Sequence, residues 1–346
     1  MSTAVDGSLV PMTDAPGTAG RGSLFRAEVH RLRSRRFLHV LLALAVVGWL
    51  GATALALNHY GVPTASDRAV AQQTMRDVVA QNEVGRQQCL DDPSRPSGTP
   101  DDEVCGPRLT LDQLNENDFL PHQPFDFART GTAGALGFAA ASAVLAFLIG
   151  ATWIGAEWST RSLVALLFWV PRRTTVMGKK LGVLALAATL LGILAQAGWL
   201  ATAGILRAVD SAGGRLPSGF WGHLLATEGR AVLLTVFAAL LGFGLTNLIR
   251  NTGAALGIAF VYFAVLETLI RVVRSSWQPW LLSENAIGLV SPGGTTVYVF
   301  DGLGPGGFDQ PRQIVISNLQ AGVVLGLITA VIVGAGVYLF NRRDLV

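Results

Sequence analysis

The sequence predicts an all-α polytopic membrane protein, and three observations lead there. Hydrophobic residues make up 51% of the chain and charged residues only 14%, too apolar for an ordinary soluble protein. Six apolar runs are each close to the roughly 20 residues that a helix needs to cross a bilayer. Arginine and lysine gather on one side of those runs, as the positive-inside rule requires.

The six runs are residues 37–57, 131–154, 181–206, 229–249, 253–272 and 317–340. An even number of spans puts both termini on one side. With that side cytoplasmic, the inner segments hold fourteen Arg or Lys against five Asp or Glu, and the outer segments carry an acidic excess. The expectation is a multi-pass protein of the cell membrane with both termini in the cytoplasm. The small net charge of +3 therefore reflects topology. No stretch interleaves basic and aromatic side chains as a nucleic-acid surface does, so no nucleic-acid partner is expected.

Taken in order, residues 1–22 are rich in Gly, Ala, Ser, Thr and Pro and read as a disordered cytoplasmic tail. They lack the basic start and hydrophobic centre of a signal peptide. Residues 23–36 change character. Leu24, Phe25, Val29 and Leu32 share one helical face, Arg26, His30, Arg31 and Arg33 the other, and Ser23 is the expected N-cap. A basic amphipathic helix beside a span lies in the interface and meets anionic membrane lipids.

The first span opens into a polar extracytoplasmic region, 58–130, where Asp and Glu outnumber Arg twelve to six. Residues 69–84 are expected to be helical, and 91–107, rich in Pro, Asp and Gly, to be loop. So long a connection implies a small folded loop domain that leans on the membrane part or on a second subunit. Cys89 and Cys105, the two cysteines, both fall here. Outside the cytoplasm they can pair, and closing a loop of about 15 residues would stabilise by roughly 3 kcal/mol; two free thiols are the alternative.

The second span, rich in Gly and Ala, lets helices approach closely and is expected to end at Trp153, an interfacial aromatic. An outer loop with Gly213, Gly214 and Pro217 follows the third span. Arg250 and Asn251 make a tight turn between the fourth and fifth spans, and Gly253 and Gly257 form a GxxxG pair, a candidate self-association face. Glu267 lies inside the fifth span, four residues before Arg271, so an intramembrane ion pair is expected on one helix face. Residues 273–316 carry Trp277, Trp280 and Leu282 among few charges, and read as a short interfacial helix or a re-entrant turn. The cytoplasmic tail 341–346 carries the stop Arg342, Arg343, Asp344.

The stretch 155–180 concentrates the chemistry. Glu157 ends the second span; Ser159, Thr160, Arg161 and Ser162 follow, then an apolar run that includes Leu163, Leu166 and Leu167. Pro171 breaks that run before Arg172 and Arg173, and Lys179 and Lys180 are the only lysines in the protein. Read physically, this is a short helix on the membrane face. Glu157 would favour its dipole, Pro171 would end it, and the four cations would face headgroups or an acidic partner. An ordinary loop with positive-inside charges fits the same residues.

No catalytic constellation assembles. A P-loop is absent, because Arg173 stands where its first glycine belongs and Lys180 where Ser or Thr belongs. His30, His39, His59, His122 and His223 have no metal-ligand spacing, and no GxSxG elbow occurs. The spans lack the chain of buried acids and histidines of a proton-coupled pump. No enzyme activity and no metal or cofactor are expected of this chain.

The pattern Gly155, Glu157, Thr160 to Ser162, Leu166-Leu167, Pro171-Arg172-Arg173 and Lys179 resembles the membrane subunits of ABC exporters of type-2 architecture. The actinobacterial members are most similar, with a tryptophan and Pro-Arg-Arg as at Trp169 to Arg173. Many members carry Gly-Thr where this chain has Arg161-Ser162. The resemblance implies a permease subunit that works as a homo- or heterodimer with two cytoplasmic ABC ATPase subunits, which bind the ATP and Mg. The segment around Thr160, Arg161, Ser162, Leu163, Leu166 and Leu167 would be the coupling helix seated on the ATPase. The substrate would be an amphiphile (a drug, lipid, peptide or glycan) passing between protomers beside the first, second and fifth spans. Two other readings stay open: a membrane sensor or scaffold that uses 58–130, and an ion-coupled carrier.

Overall fold

The computed structural model describes residues 21–94, 100–169, 172–209, 216–300 and 311–342. Most of the expected tail 1–22, Pro171, and the Arg343-Asp344 end lie outside the described residues. Six described helices are long and apolar enough to cross a membrane.

Helix α1 (Arg21–Arg33) leads into the first long helix, α2 (Arg36–His59). Its first described residue, Arg21, lies two residues before Ser23, the expected N-cap. Leu32 is buried with Phe25 and Val29 packed beside it, as the amphipathic pattern predicts. The same inward face also buries Glu28.

Helix α3 (Ala65–Leu90) runs well beyond the expected 69–84. A capping box starts it: the Thr64 hydroxyl accepts from the Asp67 amide, and the Asp67 carboxylate accepts from the Thr64 amide. One turn, α4 (Asp101–Val104), interrupts what reads as loop. It is tied back to α3 by a Cys89–Cys105 disulfide, with Cα atoms 5.7 Å apart. Arg86 pairs with Asp102 at 2.8 Å and Arg108 with Glu83 at 2.9 Å. The 58–130 region thus combines a disulfide and ion pairs with a few buried apolar residues, Ala71, Met75, Leu120, Phe125 and Phe127.

Four helices make the packed centre: α5 (Phe127–Ser159), α7 (Arg173–Val209), α8 (Phe220–Ile249) and α12 (Asn318–Arg342). The eight-residue α6 (Ser162–Trp169) joins α5 to α7. Helices α5 and α8 press closest. A Cβ on Gly150 would lie 2.1 Å from the Ala239 carbonyl oxygen, and one on Gly242 only 2.2 Å from that of Phe147. Only glycine permits that separation. Helix α5 continues past the expected end of its span, and Trp153, expected at that end, is 3% exposed and packs against Phe243.

Helix α2 and the fifth span lie at the periphery, with 11% and 6% of their most apolar windows buried. Trp49 pins α2 to the centre by donating to Thr202 Oγ1 at 2.9 Å. The fifth span is α9 (Thr252–Val261), a π-helical turn (Tyr262–Leu266) and α10 (Glu267–Val273). Beyond it comes a 3-10 turn (Ser275–Trp280), then α11 (Leu282–Val290), which packs on α8 and α12.

A hairpin was not expected in this otherwise helical chain. Strands β1 (Thr295–Val299) and β2 (Arg312–Ile316) pair antiparallel, with Thr295 opposite Ile316 and Val299 opposite Arg312. Their β-branched residues suit a pleated surface, and Val297, Val299 and Ile316 are buried against Leu289, Val290 and Leu325. Asn318 locks the corner: its amide donates to the carbonyls of Gly288 and Ser291, both at 2.7 Å, while its oxygen accepts from Arg230 at 2.8 Å.

Candidate functional site

The α5–α6–α7 connection gathers the residues that the sequence singles out, at the end of the bundle where α1 and the end of α12 also meet. Thr160 ends α5; its hydroxyl donates to the Ala156 carbonyl at 2.8 Å and meets the Ser162 hydroxyl at 3.1 Å. Arg161 then turns the chain at φ 54°, in the left-handed region. That is a conformation glycine adopts without strain and other residues rarely do.

In α6, Leu163 is fully buried and Leu166 is 9% exposed, with Leu167 packed beside them. Ser162, Ala165 and Phe168, three residues apart, face outward. Phe168 is 86% exposed, the largest value among the described large hydrophobic residues. The sequence reading omitted it, treating the whole run as one apolar segment. Aromatic side chains contribute much of the energy of interfaces, and Phe168 is one that α6 presents outward.

Both ends of α6 are fastened to other helices. At the α5 end, Trp158 donates its indole N–H to Asn247 Oδ1 at 3.1 Å, stacks edge-on with Phe340, and lies under Arg250. At the α7 end, Arg173 donates to the carbonyls of Phe340 and Asn341 at 3.1 and 3.3 Å. Side-chain contacts therefore link the two ends of α6 to α8 and α12. A Cβ on Gly155 would fall 1.8 Å from Thr252 Oγ1, so α5 and the start of α9 are also in direct contact here.

Two expectations for this stretch are corrected. Glu157 does not sit at the N-terminus of α6: it is inside α5, 2% exposed. Lys180 does not face headgroups or an acidic partner: it is fully buried and bonds Glu28 Oε2 at 2.6 Å and Glu157 Oε1 at 2.8 Å. Arg31 reaches Glu28 at 3.3 Å and Arg35 reaches Glu157 at 3.6 Å. The physical reason is burial: α5 and α7 extend beyond the expected spans, carrying both groups into the bundle, where ions must pair. Arg172 is exposed, Lys179 half-buried, and Arg173 is engaged with α12. Glu28 was overlooked, yet it is the one acid in α1 and stands four residues from both Leu24 and Leu32 on the apolar face.

The Glu267–Arg271 pair is present at 3.5 Å and is part of a wider tie. Arg271 also bonds Glu284 at 3.1 Å and Ser283 Oγ at 2.6 Å, and the Ser283 amide donates to Glu267. The group fastens α10 to the first turn of α11, far in the chain from α6. Among the described residues no cluster of His, Cys, Asp and Glu could hold a metal ion.

No curated protein matches the chain. The family model described as ABC-2 family transporter protein matches residues 24–345, nearly the whole sequence. With six apolar helices and that match, the chain belongs to the ABC-2 transporter family, as a multi-pass permease protein of an ABC transporter.

Proposed function

We propose that this chain is the non-catalytic permease subunit of an ATP-driven exporter of amphiphiles, with α6 as its coupling helix. The observation that carries this reading is the exposed face of α6, Ser162, Ala165 and Phe168, held between two spanning helices. A soluble ABC ATPase would bind that face; ATP and Mg would belong to the ATPase, two copies of which would serve a permease dimer. Closure of the ATPases would push α6 and, through Trp158 and Arg173, displace α5 and α7 against α8 and α12. In this reading the α6 end and both termini are cytoplasmic and the 58–130 region lies outside the cell membrane.

The test is crosslinking in membranes from cells that express the full chain with its ATPase. Single cysteines are placed at 160–170 in a Cys89→Ser, Cys105→Ser background. Crosslinks to the ATPase at 162, 165 and 168, and none at 163 and 166, are expected. Reaction of the outward positions with lipid or water alone would favour a sensor or a carrier. ATP-independent transport by this chain alone in proteoliposomes would establish the carrier.

A further inference from the structure

Beside the buried ion cluster, at the elbow between α1 and α2, lies a cavity of about 270 Å³ lined by the first, second and fifth spans. Its walls are Leu38, Leu41 and Ile149, with Phe37 at the rim. Its polar lining is Arg35, Thr152, Ser159 and Thr252, and Arg35 is the one charged group. Trp153 also lines it, and its indole N–H is buried with no acceptor.

We propose that this cavity binds an anionic phospholipid, one acyl chain lying on the leucine wall and a headgroup oxygen on Arg35. Three observations select that occupant. First, volume: sites that enclose a drug-sized ligand run to roughly 300–1,000 Å³, so this one holds part of a chain and leaves the rest in the bilayer. Second, charge: Arg35 keeps 31% of its side chain exposed although it lies 3.6 Å from Glu157, and its neighbour Arg36 is exposed too. A guanidinium has five donors, so one edge can hold a phosphate while another stays near Glu157. Third, position: the elbow joins a basic amphipathic helix to a span, which is where headgroups lie. The bound lipid then touches the same Arg35 that contacts the Glu28–Lys180–Glu157 cluster, making lipid composition an input to the α1–α5 contact. This site does not depend on α6 docking an ATPase.

The experiment is native mass spectrometry of the full chain in mild detergent, titrated with dioleoylphosphatidylglycerol or dioleoylphosphatidylcholine. Wild type should retain one phosphatidylglycerol with about fivefold preference over phosphatidylcholine, the effect of one cation near a headgroup. Arg35→Gln should lose the preference and Arg35→Lys keep it. Ala156→Leu, which fills the cavity from α5, should reduce binding of both lipids. Arg26→Gln, on the exposed side of α1, should change neither. The proposal is overturned if Arg26→Gln lowers the preference as much as Arg35→Gln, which would mean diffuse attraction to α1. Undiminished binding in Ala156→Leu also overturns it. Displacement of the lipid by an equal concentration of glycerol phosphate would mean an anion site with no acyl component, and overturns it likewise.

Discussion

The ammonium of Lys180 lies 2.8 Å from the carboxylate of Glu157, twenty-three residues earlier in the chain, and both are sealed from solvent. With Glu28 on the other side of the lysine, the contact joins α1, α5 and α7 at one point. Two buried carboxylates around one buried ammonium make that point intolerant of single changes.

Lys180→Met should therefore destabilise the protein by about 3–5 kcal/mol, the usual cost of leaving a buried charge unpaired. Replacing all three ions together, with Glu28→Gln, Glu157→Gln and Lys180→Met, should recover much of that loss. Lys179→Met should stay within about 0.5 kcal/mol of wild type. Thermal unfolding of the purified protein in detergent ranks the variants. If the triple variant were no better than Lys180→Met, the ion cluster would not be what holds α1 in place.

Phe168→Ala removes the proposed anchor without touching the packed face of α6. Its effect should fall on association: loss of an interface hot spot costs about 2 kcal/mol or more, roughly thirtyfold in affinity for the ATPase. Insertion and thermal midpoint should be unchanged. A fall in thermal midpoint with affinity retained would place Phe168 inside this chain's own packing.

Arg161→Gly should raise the thermal midpoint. A non-glycine residue in the left-handed region costs about 1–2 kcal/mol, partly offset by the greater freedom of glycine in the unfolded chain. Arg161→Val, β-branched at the same φ, should lower it. Equal midpoints for the two would show that the turn relaxes around whichever residue is present.

Helix α3 has a pH limit. Hydrogen bonds from the Thr64 backbone and then its hydroxyl hold the Asp67 carboxyl below the usual carboxylate range. The folded value is lower than the unfolded one, so the contribution to α3 is present above the unfolded value. It is lost as pH falls through the folded one. Amide protection factors at the start of α3, corrected for the intrinsic slowing of exchange in acid, should fall in that window, and Asp67→Asn should remove that fall.

Reduction of the Cys89–Cys105 disulfide should act locally. Cys89→Ser with Cys105→Ser should cost about 3 kcal/mol of stability, read as faster proteolysis between α3 and α4. The membrane helices should keep their protection. Loss of protection in α5 or α7 would mean that the outer region supports the bundle.

Six spans, a basic amphipathic leading helix and a cysteine pair confined to the polar region between the first two spans are all legible in the sequence, because hydropathy and helical periodicity are local properties. The limits of α5 and α7 are not. Both continue through polar residues, as far as Ser159 and from Arg173, because neighbouring helices cover those turns. The hairpin escaped for a similar reason. Five-residue runs such as 295–299 are too short for periodicity to separate strand from buried helix, and contacts with Leu289 and Leu325 decide the matter.

What the sequence determined by itself was the class of protein, since the length of an apolar run needs no knowledge of contacts. Tertiary structure decided what each charged residue does there. Glu28, Glu157 and Lys180 look like surface charges in the sequence, and become one buried cluster only because three helices converge on them. Phe168 looks like core, and becomes the exposed tip of α6 because Leu163 and Leu166 take the inner face. A side chain's polarity is written in the chain. Whether it meets water, lipid or an opposite charge depends on residues far away in sequence.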